Sequence, residues 1–197
     1  MTSPLALEFA RKIRAREQVV GYWVVLDAPA ATERIARLGY DYVALDAQHG
    51  LLDYSGIVHG LMAIDARAAA VGMVRVEANN LTAIGKALDA GAVGVIVPLI
   101  NTVEDAATAV AAPKYPPVGG AFPGDPAVEA VFNEALARIA AAAKAAGIAA
   151  GIHTLSGEVA AQRLTQGYTF TSMASDLAHL EQAAKERLEK ARGDGGV

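Results

Sequence analysis

One device recurs along this chain and fixes most of what it can fold into. A helical segment ends, a glycine follows, and a short apolar run starts at once: Gly39-Tyr-Asp-Tyr-Val, Gly91-Ala-Val-Gly-Val, Gly147-Ile-Ala-Ala and Gly167-Tyr-Thr-Phe. Glycine at the residue after a helix supplies the left-handed turn that closes it. The runs that follow are short, rich in Val and Ile, and lack strict polar alternation, as strands buried on both faces do. Strands are expected at 19–26, 40–47, 70–77, 92–100, 147–155 and 167–175. Helices are expected at 4–16, 29–38, 55–68, 80–90, 103–112, 126–146, 156–166 and 176–192. Strands alternating with helices of this length make βα units and a parallel sheet.

The alternation breaks once. Helix 103–112 runs into the proline- and glycine-rich stretch PKYPPVGGAFPGDP (113–126), and the next element is again a helix. A stretch with that many prolines cannot be a central strand. The chain has 197 residues, against roughly 250 for a complete eight-fold barrel. Together these predict a single α/β domain over 1–197, a TIM-type (β/α) barrel that is incomplete. Six parallel strands are expected instead of eight, with a strand–helix–strand missing within 113–126.

Composition excludes several classes. No cysteine is present, so there is no disulfide framework, thiolate metal site or cysteine nucleophile. A formal net charge of −4 with scattered Lys and Arg does not make the basic stripe of a nucleic-acid binder. The basic residues near the N-terminus follow the apolar ones, the wrong order for a secretory signal. No uncharged apolar run is long enough to span a bilayer. A soluble, cytoplasmic protein is expected.

In parallel α/β folds the chemistry gathers where strands end. The residues there are Asp27, Asp46 to His49, Arg75 to Asn79, and Ser175 with Asp176. Asp46 and His49 are three residues apart, so the carboxylate can orient an imidazole; a capping Asp beside a surface His is the plainer alternative. Arg75 interrupts an apolar strand and needs an anionic partner, for which Glu77 and Asp89 are candidates; a bound carboxylate or enolate is the functional alternative. Trp23 reads equally as a pocket wall or a core residue. His59 and His179 fall within helices and read as solvated or interface residues, whereas His153 lies near a strand end and could line the mouth. The six lysines (12, 86, 114, 144, 185 and 190) fall on helices or in the proline-rich stretch, which disfavours Schiff-base chemistry.

Seven stretches carry a family resemblance: GYDYVALDAQHGLLDY (39–54), VGMVRVEANN (71–80), KALDAGAVGVIVPLINTVEDA (86–106), KYPPVGG (114–120), FPGDPAVEAVFNEAL (122–136), AAGIAAGIHTLSGEVA (145–160) and YTFTSMASDLAHL (168–180). The chain resembles the HpcH/HpaI family of metal-dependent 2-oxo-acid aldolases, relatives of citrate lyase β-type lyases, which are (β/α)8 barrels. The resemblance implies reversible aldol cleavage giving pyruvate or hydroxypyruvate plus an aldehyde. It makes His49 the general base, Asp46 its orienting acid, Arg75 the enolate and substrate anchor, and Asp89 a supporting acid. It also implies a divalent cation, Mg²⁺ or Mn²⁺, and a homo-oligomer, with the helix at 177–192 packed on a neighbouring subunit. The family's two metal-binding carboxylates, in an I-E-T and a G-P-S-D-L motif, are absent from this sequence. Asp27, Glu77 and Asp176 are the carboxylates that would have to replace them. The competing expectation is a shortened, catalytically inactive paralogue serving only as a structural subunit.

Overall fold

The four glycines at the predicted joins all take the left-handed backbone: φ is +96° at Gly39, +105° at Gly91, +67° at Gly147 and +100° at Gly167. Each closes a helix and releases the chain into a strand. The computed structural model describes residues 3–66, 69–102, 105 and 126–192. In chain order its elements are α1 (Pro4–Ala15), β1 (Val19–Val24), α2 (Pro29–Ala36), β2 (Tyr42–Asp46), α3 (Tyr54–Asp65), β3 (Val71–Arg75), α4 (Leu81–Asp89), β4 (Gly94–Ile96), α5 (Pro126–Ala145), β5 (Gly151–Thr154), α6 (Gly157–Thr165), β6 (Phe170–Met173) and α7 (Asp176–Arg192). Every element falls inside a segment predicted from the sequence or within one residue of it. The predicted helix at 103–112, apart from Asp105, and the stretch 113–125 lie outside the described residues.

The six strands form one sheet in the order β4-β3-β2-β1-β6-β5, and every neighbouring pair is parallel. This is the order around a β/α barrel, with β6 returning beside β1 and with β4 and β5 at the two ends of the order among the described residues. Among the described residues the six predicted parallel strands form, a curled half-barrel flanked by helices.

Helix starts follow local chemistry. The side chains of Ser3, Asp53, Asn80 and Ser156 accept the backbone N–H three residues on, capping α1, α3, α4 and α6. Apolar residues then bury both faces of β1 to β3. On the outer face Val24, Val43, Leu45, Val74, Val95 and Val97 pack against Ala36, Ile57, Leu61, Ile64, Ile84 and Ala87 of the helices. On the inner face Val19, Trp23, Tyr42, Ala44, Val71 and Met73 pack together, and Phe9 of α1 closes that cluster at the starts of the strands.

Tyr42 fills the narrow end of the inner face. It is fully buried, stacks on Phe170 with ring centroids 4.6 Å apart, and donates its hydroxyl to the Thr171 carbonyl at 2.9 Å. Its ring lies directly over Gly21, its register partner on β1, where an added Cβ would stand 2.0 Å from Tyr42 Cζ. Gly21→Ala is therefore expected to lower stability by about 1–3 kcal/mol through overpacking, read by urea unfolding. A Gly21→Ala variant with wild-type stability would contradict this packing.

Candidate active site

The end of β2 carries a carboxylate that the fold has removed from water. Asp46 is 1% exposed, and a buried carboxylate must be fully hydrogen-bonded and charge-paired to be tolerated. Among the described residues it accepts from five donors. Arg75, its register partner on β3, holds it with a fork: Nε to Oδ1 at 2.9 Å and Nη2 to Oδ2 at 2.5 Å. Trp23 Nε1 donates to Oδ2 at 3.1 Å. The backbone N–H groups of Gln48 and His49 donate to Oδ1 at 3.0 and 3.1 Å. Burial alone would push the carboxyl pKa up. The Arg75 fork, with the His49 N–H and Trp23, outweighs burial and holds it below the usual carboxylate range.

This carboxylate sets the positions of everything around it. Its bonds to Gln48 and His49 fold the β2–α3 turn, so His49 stands exposed at the strand ends. The fork fixes Arg75, whose side chain keeps 22% of its surface open while that of Asp46 keeps 2%. Arg75 Nη1 makes no hydrogen bond among the described residues, leaving the end-on edge of the guanidinium free. Trp23 packs against that guanidinium, with Arg75 Cζ 5.1 Å from its ring centroid. The same indole meets the ring of His153 on β5, centroid to centroid 5.1 Å. His153 Nδ1 lies 2.9 Å from Ser172 Oγ on β6. Burial, and then the Arg75 charge, pull the imidazole pKa down against the weaker opposing pull of Asp46.

Several expectations need correction. The partner of Arg75 is Asp46, neither Glu77 nor Asp89. Asp46 reaches His49 through the backbone N–H, so the carboxylate caps the turn and no bond to the imidazole forms. Asp89 is exposed at the last residue of α4. Helices of a βα repeat run back against the strands, and Val93 just beyond bonds the Gly72 carbonyl near the start of β3. Asp89 thus stands at the opposite end of the sheet from Asp46, and one chain does not bring the two together. His153 was visible in the sequence as a strand-end residue, Ser172 was not, and their shared inward position becomes evident only from the β5–β6 register.

The carboxylates named as replacement cation ligands do not converge. Asp176 accepts from the backbone N–H groups of Val25, Leu26 and Leu177, tying the β1–α2 turn to the start of α7. Asp27 lies against the first turn of α3 beside Gly56, and Glu77 is exposed beyond β3. With Asp46 saturated by its five donors, the described residues offer no set of three ligands for a divalent cation. The lysines expected on helices are there, with Lys12 paired to Asp41 at 2.7 Å; Lys114 lies outside the described residues.

The chain thus carries an Asp–Arg pair at the strand ends of a parallel β/α sheet, and comparison with known proteins gives its class. The HpcH/HpaI aldolase/citrate lyase family model matches residues 19–122, more than half of the chain, and the protein belongs to that family. The 5-keto-4-deoxy-D-glucarate aldolase of Salmonella paratyphi A is 36% identical over 112 residues, 57% of this chain and 43% of that protein. The chain thus spans less than half the length of the curated relatives it matches. Among solved structures, an HpcH/HpaI aldolase/citrate lyase family protein from Burkholderia cenocepacia superposes with a TM-score of 0.80 at 24% identity, covering 94% of this chain and 99% of the other. An HpcH/HpaI aldolase from Desulfitobacterium hafniense gives 0.75 at 19% identity, covering 95% and 97%. At these identities the structures speak to the fold.

The Asp46–Arg75 pair has a direct test. Asp46→Asn keeps the shape, removes the charge and leaves a half-buried guanidinium unpaired. Breaking such a pair costs roughly 3 kcal/mol at neutral pH. The folded-state pKa of Asp46 is depressed, so its stabilisation is complete above the unfolded value of about 3.9 and is lost as pH falls through the folded value. Urea unfolding should show the gap between wild type and variant closing in acid. A gap unchanged from about pH 7 to pH 3 would contradict the pairing.

Proposed function

We propose that the chain is a cytoplasmic, self-associating carbon–carbon lyase acting on small 2-oxo acids, cleaving an aldol to pyruvate or hydroxypyruvate and an aldehyde. The observation that carries this reading is the Asp46–Arg75 fork. With Nε and Nη2 committed to Asp46, the remaining edge of the guanidinium is presented at the strand ends with its charge orientation fixed. That edge matches the paired oxygens of a 2-oxo carboxylate. It would also meet the enolate oxygen that develops when the carbon–carbon bond breaks, where a preorganised positive donor counts most. Trp23 forms the wall beside it. His49, exposed on the turn that Asp46 folds, takes and returns the proton in this scheme, through a water. The family resemblance supports these roles, and so does the position of all four residues at the same end of the sheet. Asp89 would serve this chemistry only from another subunit. Self-association is supported by β4 and β5, each unpaired on one side among the described residues, and by α7, which leaves Leu180 and Leu188 exposed.

The family resemblance implies a divalent cation, which would polarise the donor's oxygens, but the described residues do not fit one and no step is assigned to it. Loss of one well-placed electrostatic stabiliser costs about 10²–10³ in rate, so aldol turnover by this chain is expected to be slow. The measurement is retro-aldol cleavage of a 4-hydroxy-2-oxo acid, with and without millimolar Mn²⁺, beside a His49→Ala control. Slow cleavage that Mn²⁺ raises little and His49→Ala abolishes is expected. Fast, Mn²⁺-driven turnover would show that ligands outside this set complete a cation site. No turnover at all would favour a purely structural subunit.

A further inference from the structure

His153 belongs to the inner face of the sheet. It is the register partner of Ser172, which is in turn the register partner of Gly21 on β1. Because side chains alternate along a strand, Trp23, two residues beyond Gly21, shares that face. The next residue, Thr154, faces the other way, buried and bonded to the Ser172 and Ser156 carbonyls. His153 therefore leans onto the Trp23 indole from the side opposite β2 and β3, and Trp23 itself is bonded to Asp46 and packed on Arg75.

The hydrogen bond to Ser172 selects a tautomer. Ser172 is 3% exposed, and its hydroxyl proton has no other acceptor among the described residues. A buried hydroxyl left with its proton unplaced is costly. Donation from Ser172 Oγ to His153 Nδ1 satisfies both groups, and it leaves the ring proton on Nε2. The lowered imidazole pKa agrees with a neutral ring. Nε2 has no hydrogen-bond partner among the described residues, and the residue keeps an exposed surface. Arg75 and His153 each lie against the Trp23 indole, 5.1 Å from its ring centroid, and a neutral N–H donor sharing that wall with an arginine can bind an anionic oxygen without adding a second full charge to the site.

We infer that His153 is a further substrate-binding residue of this site, a neutral Nε2–H donor that holds an oxygen of the 2-oxo acid alongside Arg75. Nothing in the family resemblance or the comparisons gives this residue a role, and the inference rests on the 2-oxo-acid reading above. The role needs a donor at the Nε2 position and no charge, so glutamine can stand in for histidine whereas leucine cannot.

The test uses pyruvate as probe, titrated by NMR into the 197-residue wild type, His153→Gln and His153→Leu. Long-range ¹H–¹⁵N spectra of the imidazoles are recorded for the wild type. The expected result is a His153 ring in the Nε2–H form whose Nε2 signal moves on adding pyruvate. Binding should weaken roughly tenfold in the Leu variant and return most of the way in the Gln variant. Wild-type affinity in His153→Leu, or a ring in the Nδ1–H form, overturns the inference while leaving the 2-oxo-acid reading standing. Failure of the wild type itself to bind pyruvate overturns both.

Discussion

A carboxylate sealed at the end of a central strand obliges the surrounding chain to answer it. The desolvation of Asp46 is unfavourable taken alone, and it is tolerated because donors from three elements converge on two oxygens. Trp23 comes from β1, Arg75 from β3, and two backbone N–H groups from the turn after β2. One buried charge thus fixes the rotamer of the arginine, the tilt of the indole and the path of the turn that carries His49. The Asp46 end of the sheet is thus organised by the chain itself, which is what an electrostatic site of the proposed kind needs if it is to undergo no reorganisation during reaction.

The scaffold beneath it is built for rigidity. Both faces of β1 to β3 are buried, so a shift of one strand would expose a row of Val, Ile and Leu on one side or break the Tyr42–Gly21–Phe170 packing on the other. Such a register is strongly specified. The end strands β4 and β5, each unpaired on one side among the described residues, are less constrained. His153 stands on one of them, close enough to reach Trp23 across β6 because Ser172 and Gly21, the residues between, are small.

Much of this was legible in the sequence because it depends on local rules. The four glycines announced helix ends by conformation, and strand and helix positions followed from apolar periodicity. Arg75 stood out as a charge within an apolar run. Its partner did not, because Asp46 lies 29 residues away and meets it through strand register, which no local pattern encodes; near-sequence acids were the natural and mistaken candidates. Asp89 was misplaced for a related reason: its spacing from Arg75 is short along the chain, yet the helix between them carries it to the far end of the sheet. Asp176 read as a free carboxylate at a strand end, whereas its place at the first residue of α7 commits it to backbone N–H groups. His153 and Ser172 sit in weakly apolar strands, and their pairing required the β5–β6 alignment.

In the proposed function the Asp46-held fork of Arg75, and not merely a positive charge at that position, recognises a 2-oxo acid. Lysine in its place keeps the charge and loses the planar fork. Isothermal titration of pyruvate into wild type and Arg75→Lys, with near-ultraviolet circular dichroism to confirm that both are folded, measures this directly. Loss of one charge-assisted bond of about 1.5–3 kcal/mol predicts affinity lower by roughly 10- to 100-fold in the folded variant. Binding of pyruvate by Arg75→Lys with wild-type affinity would contradict it.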